Sequence, residues 1–459
     1  MATKSYMGNI FLAPDRPILE AISIIEGHRT QMAFVVDQNE VLVGVLTNGD
    51  VRRFLLKNGN VQDPVHVCMN TGFRSVLSTD GDSREKLLKL FDLGYSAVPV
   101  LSGDGRVVDI VTPGFLAPPI QADVLARSRA PARISFAGGG SDLTYYFINN
   151  KGSVLNTSIA MYAHATLIPH ERPEIRIFAQ DTGEEDHFES FRALVDAPEK
   201  KLLPSVVAVI QPKFGFDLYV HSDFPVGSGL GGSSAVAISV VSAFNELRMD
   251  RWSNYQVVEL AFHAERLHFG IAGGWQDQYA SAFGGFNLIE FGDQQNLVHP
   301  LRLDASITNE LEECLILCDT GSGHNSGKLH EKQRQEFEEQ SDRAAQFKAN
   351  VDLSLRMHRH LIRGELKEFG ECLHDAWLLK QRMSSAISNS RIQQIYDSAI
   401  EAGALGGKLL GAGGGGFFTV FAPPRSRAQV VANLKKFDCK IFPLRFENAG
   451  VVSWRTKAL

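Results

Sequence analysis

The chain has 459 residues, 44% of them apolar, 21% charged and 9% aromatic, with a formal net charge of -6. That is ordinary globular composition, long enough for about two to four domains at roughly 100–200 residues each. The acidic balance excludes a dedicated nucleic-acid binder, which needs a basic field, and no uncharged apolar run reaches the ~18 residues of a membrane span. The opening MATKSYMGNI has neither the basic start nor the apolar core of a secretory signal, so a cytoplasmic location is expected. Cys68, Cys314, Cys318, Cys372 and Cys439 are scattered, which fits neither a disulfide framework nor a C-x-x-C metal site.

Residues 1–120 hold two similar halves, ILEAISIIEGHRTQMAFVVDQNEVLVGVLTNGDVRRFL and SREKLLKLFDLGYSAVPVLSGDGRVVDIVTPGFL. Each reads as a short amphipathic helix, an apolar strand, a polar turn (DQNE, SGDG) and a second strand. Such a repeat predicts two units packed on each other. The segment is similar to a pair of CBS domains over nearly all of residues 8–116. That resemblance implies an adenine-nucleotide site built on a Thr and an Asp three residues later. LTNGD supplies Thr47 and Asp50, whereas the second half has Thr112 with Phe115 in place of the acid. Either one regulatory nucleotide site or a docking module without a ligand is expected, with homo-oligomer formation through the pair.

Residues 121–130, after Pro113, Pro118 and Pro119, read as a linker. RAPARISF and VLNTSIAMYAHATLI read as strands, KLLPSVVAVIQP as a helix and DLYVHSDF as a strand. Ser233–Leu247 is apolar on nearly all sides, hence a buried helix. Val257, Leu260, Ala261, Ala264 and Leu267 recur at helical spacing in the next one. CLILCD reads as a strand, residues 327–402 as a helical region, and GFFTVFAP, KIFPLRF and VVSWR as closing strands. Strands, then helices, then strands predict an α+β fold rather than a doubly wound sheet.

Four glycine-rich segments carry the chemistry. In HSDFPVGSGLGGSSAVAISVV a strand leads through a Gly/Ser loop into the buried helix, whose first N–H groups and positive dipole end suit a phosphate. A tight turn without ligand is the alternative. No G-K-[ST] follows, so this is not a Walker A loop. In AERLHFGIAGGWQDQYASAFGG, Glu265 borders the buried face of its helix, where a magnesium ion bridging phosphates would satisfy it. Asp277 follows a glycine bend and is placed to accept a proton from a hydroxyl; a salt bridge or helix cap is the alternative for each. In RAPARISFAGGGSDLTYYF, Asp142 either caps a helix or holds sugar hydroxyls, and Arg133 inside a strand needs an anionic partner. KLLGAGGGGFFTVF matches G-x-G-x-x-G in number, but a strand follows it, which excludes a dinucleotide fingerprint.

Together and in this order the four segments resemble the GHMP kinase family over about residues 126–457. The likeness implies a two-lobed body, with residues 131–325 as the N-terminal lobe carrying the phosphate loop and 326–459 as the C-terminal lobe. It implies ATP over Gly227, Ser228, Gly229, Leu230, Gly231, Gly232, Ser233 and Ser234, and Mg²⁺ between Ser234 and Glu265. Asp277 matches the family's catalytic base, and Arg133 matches a basic residue near the base and the transferring phosphoryl. Gly139, Gly140, Asp142, Gly413 and Gly414 match substrate-binding positions.

Within the family, RAPARISFAGGGSDL, GGWQDQYASAFGGFN and DTGSGHNSGK look most like kinases of D-glycero-D-manno-heptose 7-phosphate. The implied reaction is transfer to the anomeric C1 hydroxyl, with a small-molecule sugar phosphate as partner and no role for nucleic acid or membrane. Trp275 and His324 depart from basic residues expected in that group, which puts the exact sugar in question. His324, Asn325, Ser326 and Lys328 are the candidates for gripping the 7-phosphate; a plain solvated loop is the alternative. Fucose or galactose is the rival substrate. A nucleotide- or sugar-sensing regulator on a degenerate kinase body is the rival class, and the joint presence of Ser234, Glu265 and Asp277 argues against it.

Overall fold

The computed structural model describes residues 10–27, 30–78, 83–112, 124–321, 343–383, 387–411 and 413–457. The chain divides into two units, one of Met1–Pro119 and Arg248–Asp250, the other of Ile120–Leu247 and Arg251–Leu459.

In the first unit the sequence repeat is visible in the backbone pairing. β1 (Phe11–Leu12) runs parallel to β2 (Met32–Val36), which forms a hairpin with β3 (Leu42–Thr47). β4 (Val76–Leu77), β5 (Val98–Leu101) and β6 (Val107–Val111) repeat that order and direction. The halves share an apolar cluster, with Met32, Phe34, Leu42 and Val45 from one and Ala97, Leu101 and Ile110 from the other. Thr47 and Asp50 open the helix Asn48–Leu55 as a reciprocal cap. The Asp50 carboxylate accepts from the Thr47 N–H at 2.9 Å and hydroxyl at 2.6 Å. The Thr47 oxygen accepts from the Asp50 N–H at 3.3 Å, and Arg53 donates to the second Asp50 oxygen at 2.5 Å.

The second unit is α+β, built on two sheets. β7 (Val124–Ala137), β8 (Gly152–His170), β9 (Ile175–Ala179), β10 (Glu184–Phe188), β11 (Gly215–Ser222), β12 (Phe286–Phe291), β13 (Leu297–Pro300) and β18 (Val452–Lys457) make the larger one. Its order is β10-β9-β11-β8-β12-β13, with β7 on β8 and β18 on β7. β14 (Leu315–Asp319), β15 (Gly406–Leu409), β16 (Phe417–Phe421) and β17 (Lys440–Phe442) form an antiparallel sheet of order β15-β16-β14-β17.

Three expectations are corrected here. Residues 124–130, read as linker, are strand: Leu125, Ala126 and Ala130 are buried, and the backbone pairs with both β18 and β8. β14, read as part of the N-terminal lobe, pairs with β16 of the smaller sheet from Leu315 onward. Cys314 ends the helix Ala305–Cys314 instead of starting the strand.

The helix Gly232–Glu246 packs on β7 and β8 and is buried along most of its length, as its apolar sequence predicts. The next helix, Asn254–Phe262, does not run straight through Leu267. It widens into a π-helical turn at His263–His268, where the Phe269 and Gly270 N–H groups reach the carbonyls of Ala264 and Glu265 at 2.8 and 3.1 Å. Helices Arg343–Ile362, Leu366–Met383 and Ser390–Glu401 fill the described part of the expected helical region. One continuous apolar cluster, including Phe136, Trp377 and Phe418, joins both sheets.

Candidate active site

A cavity of about 630 Å³ in the second unit gathers residues from all four glycine segments, among them Arg133, Asp142, Ser233, Asp277 and Gly411. Its apolar wall includes Phe224, Pro225 and Val226, which run directly into the Gly/Ser loop.

The loop needs its glycines. Gly227, Gly229 and Gly231 have φ of 74, 78 and 74°, the left-handed region. Gly231 caps the helix Gly232–Glu246 without a side-chain bond, so the first N–H groups keep their capacity for an anion. A Cβ at Gly411 would stand 2.5 Å from the Gly229 Cα, and one at Gly416 would stand 2.6 Å from the Ser228 carbonyl. The C-terminal glycine motif therefore backs the loop, backbone against backbone, and Phe417 N–H donates to the Ser228 carbonyl at 2.9 Å. Gly413 and Gly414 do not line the cavity. They pack on Ile387, with the Gly414 N–H on the Ile387 carbonyl at 2.8 Å. Leu230 is an anchor in the core, not a lining residue.

Arg133 projects from β7 and forks onto Asp277, at the start of the helix Gln276–Phe283. Nε donates to Oδ1 at 2.7 Å and Nη2 to Oδ2 at 2.8 Å. Nη1 donates to the Gly229 carbonyl at 2.7 Å, which ties the pair to the loop. Paired charges in this bidentate geometry are among the stronger polar contacts. Asp142 sits beside them, buried, accepting from the Gly140 N–H at 2.9 Å and the Gln276 N–H at 3.2 Å. Burial, then the nearby Asp277 charge, push its carboxyl above the usual range. Gly139 and Gly140 line the cavity, held by Asn350, which bonds to Gly138 N–H at 3.0 Å and the Gly139 carbonyl at 2.7 Å.

Ser234 and Glu265 meet behind the loop. The Ser234 hydroxyl and the Gln278 amide donate to Glu265 Oε2 at 2.8 and 2.6 Å. Glu265 Oε1 is buried without a hydrogen-bond partner; Arg266 Nη1 stands 3.7 Å from it. A carboxylate with an orphaned oxygen beside a hydroxyl is a donor set that fits a hard divalent cation taking its other ligands from phosphates and water. Neither residue lines the cavity, whereas Ser233 and Arg266 do. Among the described residues no group of three or more His, Cys, Asp or Glu is placed to hold a metal alone.

His324, Asn325, Ser326 and Lys328 lie outside the described residues. Trp275 stacks on Phe262 with ring centroids 3.5 Å apart, and its indole N–H donates to Thr144 Oγ1 at 3.0 Å. The sequence reading missed Ser135, Arg266, Gln276, Asn350, Lys380 and Lys408 as lining residues. Lys408 did carry a signal: a lysine inside the apolar run of a strand, the same anomaly that marked Arg133.

Comparison with known proteins gives the family. Residues 200–285 match the GHMP kinases N terminal domain, 357–438 the GHMP kinases C terminal family, and 4–57 the CBS domain. A D-glycero-alpha-D-manno-heptose 7-phosphate kinase of Campylobacter jejuni is 34% identical over 335 residues, covering 72% of this chain and 98% of that protein. An L-fucokinase/L-fucose-1-P guanylyltransferase of Bacteroides fragilis is 27% identical, over 66% of this chain and 35% of that protein. The crystal structure of a D-glycero-D-manno-heptose 1-phosphate kinase from Bacteroides thetaiotaomicron superposes with a TM-score of 0.60 at 29% identity, covering 72% of this chain and 98% of that one.

Proposed function

The chain belongs to the GHMP kinase family and is an ATP-dependent sugar kinase, and we propose that its substrate is D-glycero-D-manno-heptose 7-phosphate, phosphorylated at the anomeric C1 hydroxyl to the 1,7-bisphosphate. The observation that carries the reading is the juxtaposition of Asp142 with the Arg133–Asp277 pair, itself bonded to the phosphate loop through Gly229. It supports a reading in which a sugar-hydroxyl acceptor, a base and a phosphate cradle share one cavity.

In this reading the loop N–H groups from Gly231 onward hold the nucleotide phosphates. Asp142 accepts hydrogen bonds from the sugar, and Asp277 takes the proton of the attacking hydroxyl. Arg133 fixes the Asp277 carboxylate and adds positive charge beside the transferred group, where positioning and charge neutralisation do most of the work. Ser234 and Glu265 would hold magnesium, which when bound neutralises phosphate charge. The 7-phosphate grip is assigned to His324, Asn325, Ser326 and Lys328. The same reading places the enzyme in the cytoplasm and gives the CBS pair the oligomer contact; light scattering on the full chain tests the latter.

An ADP-release assay across sugars and sugar 7-phosphates tests the substrate. Turnover confined to the heptose 7-phosphate is expected. Faster turnover of L-fucose or galactose would replace that substrate, and fucose has the support of the fucokinase likeness. No ADP with any sugar would sink the proposal.

A further inference from the structure

We propose that Lys380 and Lys408, with the Ser135 hydroxyl, form a second anion subsite in the cavity, built for a phosphate dianion and made by side chains rather than by the backbone of the phosphate loop. Lys408 reaches from β15 to the end of β7, where Nζ donates to the carbonyls of Ser135 at 2.9 Å and Phe136 at 3.2 Å. Lys380, on the helix Leu366–Met383, is half-buried, with its ammonium turned inward onto the carbonyls of Leu409 at 2.7 Å and Gly411 at 2.5 Å. An ammonium has three N–H donors, so each lysine keeps one with no acceptor among the described residues. Ser135 Oγ is buried, lines the same cavity and has no hydrogen-bond partner.

The charge count points the same way. Among the described residues the cavity is lined by four cations, Arg133, Arg266, Lys380 and Lys408, against two acids, Asp142 and Asp277. Arg133 is taken by Asp277, and Arg266 stands beside Glu265. That leaves two lysines with Asp142 as the one acid nearby. Burial, then Lys408 and Arg133, hold the Lys380 ammonium well below its ordinary range. A buried ammonium on carbonyls alone is incompletely compensated. A dianion between the two, accepting from both and from Ser135, completes the set.

Two sources share this chemistry: the phosphoryl arriving on ATP and the phosphate already on the sugar. Choosing between them rests on the kinase reading above; the existence of the subsite does not. The rival is a structural tie, in which the lysines only bind the glycine turn and the end of β7 in place.

The first test titrates inorganic phosphate into the nucleotide-free full chain by calorimetry. Lys380→Met and Lys408→Met are expected to weaken phosphate binding by about tenfold to hundredfold, the scale of a charge-assisted hydrogen bond. Unchanged affinity in both folded variants, or no binding by the wild type at millimolar phosphate, overturns the subsite. Should a methionine variant fail to fold, Lys380→Gln or Lys408→Gln keeps a donor on the carbonyls and is read the same way. The second test uses phosphate as an inhibitor of turnover. Competition against ATP assigns the subsite to the transferred phosphoryl, and competition against the sugar phosphate assigns it to the substrate's own phosphate; inhibition competitive with neither overturns it. The titration stands even if no sugar is turned over, a result that defeats the substrate reading alone.

Discussion

Two acid-bearing motifs in this chain look alike on paper and end in opposite physical states. In the N-terminal unit, Thr47 and Asp50 lie three residues apart and satisfy each other as a helix cap, with Arg53 on the remaining oxygen. In the second unit Asp277 is held by an arginine 144 residues away, and Glu265 keeps one buried oxygen without a partner. The first arrangement is complete without a ligand, and a nucleotide would have to displace bonds already made. The second leaves polar capacity unspent inside the protein, which is costly unless something binds. The contrast separates a motif that is complete within its own helix from one that leaves a buried carboxylate oxygen open.

The largest expected effect falls in the second unit. Asp277→Asn keeps the shape of the fork and one acceptor for Arg133 but removes the base. ADP release should fall by roughly 10²-fold or more with ATP binding retained, and the unfolding midpoint should drop, because the nearly buried Arg133 then faces an amide N–H in place of one carboxylate oxygen. Near-wild-type turnover would remove Asp277 from the chemistry and erase the contrast. Gly274→Ala is the next step down. A Cβ there would stand 1.8 Å from Asp142 Oδ2, so the carboxylate must swing aside. The sugar KM should rise about tenfold, the loss of roughly one charged hydrogen bond, with the ATP KM unmoved; a rise in both would mean that the whole loop had shifted.

What the sequence could announce follows from the same contrast. Arg133, Asp142 and Asp277 each left a mark in the letters, as a charge in an apolar strand or an acid beside a glycine cluster, but only the family resemblance implied that they would meet. The π-helical turn left none: its wider bonding around Glu265 comes from packing, and Val257–Leu267 reads as plain helix. Lys380 also carries no mark, since on a helix with charges on its exposed face one more lysine is unremarked until the tertiary fold turns it onto Leu409 and Gly411. The boundary errors have a like cause, for β14 and β18 are assigned to sheets by partners far along the chain.

A pH measurement sharpens the comparison further. Burial first, then the Arg133 charge, with Asp142 opposing, push the Lys408 ammonium down to about 7. In the unfolded chain it titrates near ~10.4. Between those values the unfolded state binds more protons, so stability rises with pH; the gain is complete above the unfolded value and lost as pH falls through the folded one. The slope from this group cannot exceed about 1.4 kcal/mol per pH unit. All four tryptophans, Trp252, Trp275, Trp377 and Trp454, lie in the second unit, so urea curves followed by indole fluorescence report that unit alone. Midpoints at pH 7, 8 and 9 should climb more steeply for wild type than for Lys408→Met, and saturating phosphate should shrink the difference by favouring the charged form. Parallel curves would mean that Lys408 is not depressed.

The smallest effect belongs to the satisfied motif, where it is most diagnostic. Thr47→Ala removes the hydroxyl that accepts from the Asp50 N–H and donates to the Asp50 carboxylate. Losing such a cap costs about 1 kcal/mol, which is roughly a fivefold rise in local opening. Hydrogen exchange across Asn48–Leu55 should quicken by that factor, while indole unfolding and kcat stay where they were. If the cap is the whole role of the pair, wild type and Thr47→Ala will give the same null result when AMP, ADP or ATP is titrated with the kinase site blocked by a nonhydrolysable ATP analogue. A saturable second site in the wild type that disappears in Thr47→Ala would show that the cap opens for a ligand, and the N-terminal unit would then join the kinase body as a place where polar bonds are held in reserve.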